Sequence, residues 1–135
     1  MGTDTSPNPG KVVFMAGTGK GTFMFSSNEA RKDWSMKGPF MPSEDVFHMA
    51  YDSRGDGKTY AAVNSMWFGP TVQFSDEFGQ PWEQPEIQPA FPSHRDMSVN
   101  KEWHLEPGRF ETPGELYWEG SIIPIEERRP GRHLA

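Results

Sequence analysis

The sequence contains no cysteine, which removes disulfides, thiolate metal ligands and cysteine nucleophiles together. It holds no apolar run near the ~18 residues that a membrane-spanning helix needs. Met1 to Pro9 is polar and lacks the apolar stretch of a secretory signal, so a cytoplasmic location is expected. Helical periodicity is almost absent, and only Asn28 to Lys32 offers a helical turn. Positive charge is short as well. Lys and Arg number 13 against 19 Asp and Glu, a formal net charge of −6 that argues against a general nucleic-acid binder. What is present is aromatic and turn-rich. Five Trp, three Tyr and ten Phe accompany 14 Gly and 13 Pro, a composition of short strands and frequent turns. One all-β domain without membrane spans is expected of the 135 residues.

Short β-branched and aromatic runs alternate with turn residues throughout. Val12 to Ala16 and Thr22 to Ser26 flank Gly17-Thr18-Gly19-Lys20-Gly21 and read as a hairpin. That glycine-rich run resembles a phosphate loop only superficially, because two strands flank it in place of a strand and a helix. Val46 to Tyr51 and Thr59 to Asn64 flank a tight connection that contains Arg54-Gly55-Asp56. The tripeptide is explained by the hairpin and implies no integrin ligand. Thr71 to Ser75 follows as a third strand, and Trp82 to Glu86 as a fourth. Glu102 to Leu105 and Glu115 to Trp118 form a weaker pair.

Internal repetition is the most informative feature. Ser27, Glu29 and Trp34 recur as Ser75, Glu77 and Trp82, each copy following a Phe-rich or Val-Gln-Phe-Ser strand. The two Trp lie 48 positions apart, within the ~40–50-residue period of a four-stranded propeller blade. A second echo pairs Phe47-His48-Met49 with Trp103-His104-Leu105, each leading through a turn to a Tyr-bearing strand. Tyr60 and Tyr117 lie 57 apart, so the second interval carries an insertion, placed in Pro81 to Pro92 and Ser93 to Lys101.

The arrangement at Ser75, Glu77, Gly79 and Trp82 resembles the Asp-box, or BNR, repeat of sialidase-like β-propellers, Ser-x-Asp-x-Gly-x-Thr-Trp. Glu77 stands for the Asp and Pro81 for the Thr. Ser27, Glu29 and Trp34 are a more degraded copy, with Arg31 for Gly and Asp33 for Thr. Val12 to about Gly120 resembles the amino-terminal part of BNR-repeat proteins labelled glycosyl hydrolases or exo-sialidases. The resemblance implies an all-β partial β-propeller of four-stranded antiparallel blades, one complete blade flanked by two incomplete ones. It implies that the box caps a turn between the third and fourth strands of a blade, with its Trp packed between blades. It also makes Val46–Tyr51 an innermost strand, leaves the first blade without one, and puts Arg31 and Arg54 on outer turns. Residues 1–10 are then a polar segment, 11–120 the partial propeller and 121–135 a divergent, disordered tail.

The resemblance does not bring catalysis with it. The Arg-Ile-Pro signature of sialidases is absent. Nineteen acidic residues nominate no pair at the about 5–9.5 Å separation of glycosidase carboxylates. No catalytic residue, metal site or cofactor is therefore assigned. His48 and His104, at equivalent places on successive inner strands, are candidates to hold an anionic group near a central channel. Bonding to neighbouring backbone is the favoured alternative for both. Asn64 and Trp67 are candidates for a sugar platform, with packing between blades the favoured alternative for the Trp. Phe47, Met49, Tyr60, Ala62, Val72, Phe74 and Trp82 are the expected core.

A non-catalytic scaffold or truncated family member is the function expected. A glycoside hydrolase completed by missing blades or other copies, and a carbohydrate-binding module, are the alternatives. Open blade edges imply a homo-oligomer; carbohydrate is the other candidate partner, and neither nucleic acid nor membrane is expected. In one permitted back-translation of Glu126 to Ala135, a one-base shift opens Lys-Ser-Gly-Asp-Arg-Gly-Asp-Thr-Trp, a full Asp-box. On that reading the tail is a frameshift product that was never selected to pack.

Overall fold

The structure, a computed structural model, describes residues 9–55, 57–76, 81–86, 88, 97–112 and 114–124. Every regular element among them is a strand. β1 (Lys11–Thr18), β2 (Gly21–Asn28) and β3 (Trp34–Phe40) form the first sheet. β4 (Asp45–Asp52), β5 (Lys58–Ser65) and β6 (Gly69–Ser75) form the second, and β7 (Met97–Pro107) with β8 (Leu116–Pro124) the third. All pairings are antiparallel between sequential neighbours. Turn chemistry explains this. Between β1 and β2 the Thr18 hydroxyl donates to Gly21 O (2.8 Å) and accepts from Lys20 N–H (3.1 Å), closing a two-residue connection. The phosphate-loop reading has no place there.

The sheets stack in chain order, with β1 beside β4 and β7 against β4, β5 and β6. Each joint has its own small core. Val46, Ala61 and Val63 are buried between the first and second sheets, with Met41, Met49 and Trp82 packed on them. Ala50, Ala62, Val72 and Leu105 fill the joint between the second and third, with Tyr60, Leu116 and Trp118 around them. Adjacent Ala61 and Ala62 serve opposite faces because side chains alternate across a strand. Close approach needs small residues here. A Cβ added at Gly17 would lie 2.6 Å from Val46 O, so β1 and β4 come together only over a bare backbone.

The hairpins follow the expected spans, and the all-β class holds. Several features differ. Among the described residues the sheets contain three, three and two strands where four were expected; at the expected fourth strand, Trp82 to Glu86, the described residues form a single bridge, Phe74 to Glu83. β3 was not expected, because Trp34 to Phe40 contains Gly38-Pro39, a pair that argues against a strand. It is an edge strand, where a missing N–H is tolerated. Asn28 to Lys32 forms a turn closed by Arg31 N–H to Asn28 O (3.0 Å), not a helix. Met97 to Lys101, assigned to an insertion, belongs to β7, and β8 continues past Gly120 to Pro124.

Of the expected core, Ala62 and Val72 are buried, and Met49, Tyr60 and Trp82 are partly buried around it. Phe74 is half-buried. Phe47 is a correction: it is 42% exposed. The register shifts between Val46 and His48, and this bulge leaves Phe47 without a partner and turns it outward. Simple alternation cannot anticipate that. Glu77, Gly79 and Glu126 to Ala135 lie outside the described residues.

Candidate functional site

The two histidines are placed by a repeated backbone irregularity. β7 shifts register between Glu102 and His104, as β4 does between Val46 and His48. In both strands an exposed aromatic, Phe47 or Trp103, occupies the bulge and the histidine follows it. Because β7 packs beside β4, the rings meet with centroids 4.0 Å apart and planes 33° from parallel. Leu105 N–H donates to His48 Nδ1 (3.0 Å), so neutral His48 carries its proton on Nε2. His104 Nε2 lies 3.4 Å from Glu106 Oε2. Burial holds the His48 pKa below its ordinary value, and neighbouring His104 lowers it further, against an opposing pull from Glu106.

His48 is thus bonded to neighbouring backbone, and His104 to a carboxylate. Chemically the pair offers a hydrogen-bond donor at His48 Nε2 beside a half-exposed imidazole. Among the described residues no three His, Asp or Glu side chains converge as a metal set.

Asn64 and Trp67 are not brought to this pair. His48 faces Ala62 across the ladder, and Asn64 lies two residues further along β5, on the order of 7 Å away. Trp67 is at the β5–β6 tip, 83% exposed, between Met66 and Phe68, which are also exposed. The tip is held from beneath by a residue the sequence did not single out. Ser65 Oγ accepts from Trp67 N–H and Phe68 N–H (3.2 Å each) and donates to Glu44 Oε1 (3.2 Å). A Ser two and three residues before a tight turn is the signal that could have marked it.

The turn that follows Ser27 is closed by side-chain bonds. Ser27 Oγ donates to Asp33 O (2.5 Å), and Trp34 Nε1–H donates to Arg31 O (3.1 Å). Arg31 is left-handed (φ 55°), a conformation that glycine adopts more readily. Ser75 is buried, as Ser27 is. Strand pairing repeats too: Ser26 opposes Ser35, and 48 positions on Phe74 opposes Glu83. Glu29 is exposed. Trp82 packs on Val46, Ala61 and Val63, whereas Trp34 is 45% exposed on the outer face of the first sheet.

Arg54 was expected on an outer turn, with no further role. It ties the second sheet to the third. Its Nε and Nη2 donate to the two Asp52 carboxylate oxygens (2.8 Å each). Nη1 donates to Arg109 O (2.6 Å) and Thr112 O (2.8 Å), and Nη2 to Glu115 O (2.8 Å). Arg54 hydrogen bonds are the first cause of a lowered Asp52 pKa. No protein family and no curated protein matches the chain.

Proposed function

We propose that the chain is part of a sialidase-like repeat β-propeller and acts as a non-catalytic scaffold, its blades presenting loops and end faces to other molecules. The observation that carries this reading is the recurrence, 48 positions apart, of one turn framework: a buried Ser, a Trp seven residues later, and an antiparallel pairing that closes the turn. The polar side chains of Ser27, Ser65 and Arg54 all bind backbone or neighbouring side chains. They serve the framework. The expected result is no turnover of a fluorogenic sialoside, and turnover that scales with protein concentration overturns the scaffold reading.

A second reading, carbohydrate binding, is favoured by one observation. Trp67 and Phe68 project from a tip whose backbone is braced by Ser65, which provides a rigid aromatic surface. A glycan array tests it: binding lost in Trp67→Ala and retained in His48→Asn assigns the tip, and no binding to any glycan removes this reading.

A further inference from the structure

We infer that the outer face of the first sheet is an interface for a second copy of this chain, joined head to tail to the outer face of the third sheet. The inference rests on the scaffold reading and names the partner of its end faces.

The first sheet's outer face repeats a surface that is covered elsewhere in the molecule. Cross-strand partners share a face, so Phe14, Phe25 and Met36 form one row, and Val12, Ser27 and Trp34 another. Their counterparts about 48 positions on include Ala61, Gln73 and Trp82 of the second sheet, on the face that the first sheet covers. No described segment covers the first sheet in the same way. Phe14 and Met36 are each 57% exposed there, and a cavity of about 470 Å³ is lined by Val12, Val13, Phe14, Phe25, Arg31 and Trp34.

At the other end, Glu106 and Tyr117 pair across the third sheet and, with Glu119, are exposed on the side away from Leu105 and Trp118. Their counterparts Ala50, Tyr60 and Ala62 lie on the face of the second sheet that the third covers. Each end therefore presents the half of a joint that the molecule completes internally.

Charge selects head-to-tail over head-to-head pairing. Residues 9–40 carry five basic and two acidic side chains, net +3, whereas residues 97–124 carry two basic and five acidic, net −3. The like net charge of two first segments disfavours their approach, and the opposite charges of a first and a third segment favour it. Such a contact is heterologous, so copies add in one direction and form rings or open chains.

Sedimentation velocity of the full chain over a range of concentrations is the test. The weight-average mass is expected to rise above the 15.3 kDa of one chain as concentration increases, and to fall back at high salt. Met36→Glu disables one end and Glu119→Lys the other. Each alone should be monomeric, and an equimolar mixture should form one-to-one dimers and nothing larger. If Glu119→Lys self-associates while Met36→Glu does not, two first-sheet faces meet and the inference is overturned. A wild-type monomer at every concentration also overturns it. Should either variant fail to fold, the wild-type salt response decides: association strengthened by salt is apolar and head to head. A monomer without sialoside turnover removes only this inference, whereas turnover removes the scaffold reading.

Discussion

His48 accepts a backbone hydrogen bond through the nitrogen that would otherwise take a proton. Charging the ring means losing the Leu105 bond or moving the ring from His104. Its folded pKa is lowered, so the unfolded chain binds this proton more readily. The stability it contributes is complete above the ordinary histidine value of ~6.5 and is lost as pH falls below it. Urea titrations from about pH 7 to about pH 5 should show a decline in the wild type that is weaker in His48→Asn, whose amide keeps an acceptor. Equal slopes would refute the assignment. Asp52 acts in a separate, lower window: its depressed pKa gives stability that is lost only as pH falls below ~3.9 toward the folded value. Arg54→Lys retains a charge but not the planar fork. Amide exchange across residues 109–115 should quicken in that variant while β1 to β3 stay as protected as before; unchanged exchange at 109–115 means the guanidinium is dispensable.

The sheets are individually thin, and each draws its stability from the neighbour it packs against. Leu105 is fully buried between the second and third sheets, and Leu105→Ala should cost about 2–5 kcal/mol in denaturant titration. A loss below about 0.5 kcal/mol, the size of a surface change, means that the joint is not a core. The two repeat tryptophans should separate. Trp82 is packed in a joint and Trp34 is on an open face, so Trp82→Ala should destabilise more than Trp34→Ala. Because Trp82 is only partly buried, its cost should stay below the about 3–5 kcal/mol of a fully buried aromatic. Gly17→Ala probes the same joint from the backbone, by forcing β1 away from Val46.

At the scale of the whole molecule, three sheets stacked in chain order make an assembly whose two end faces differ in charge and polarity. Stacked repeats are stabilised by nearest-neighbour interfaces, and among the described residues the first and third sheets have one such interface where the second has two. Exchange protection should accordingly be highest in β5 and lower in β3 and β8.

The hairpins, the all-β class and the 48-residue recurrence were legible in the sequence because they are local. Side-chain alternation and turn residues specify a strand pair within about twenty positions, and a repeat needs only its own copy for comparison. β3 was hidden by Gly38-Pro39, which fall in the irregularity where the pairing with β2 passes from Lys37 to Phe40. Phe47 was misjudged because a bulge inserts one residue into the alternation, and nothing in Val46-Phe47-His48 announces it. The histidines could be matched by spacing, but their ring contact required β7 to lie on β4. Arg54 looked like an ordinary turn residue beside Asp52. Its three carbonyl acceptors lie 55 to 61 positions away, and only the stacking of the third sheet on the second brings them within reach. The sequence by itself thus determined the hairpins. Tertiary structure decided which faces meet, because contact between sheets depends on twist, bulges and small-residue gaps that no single segment encodes.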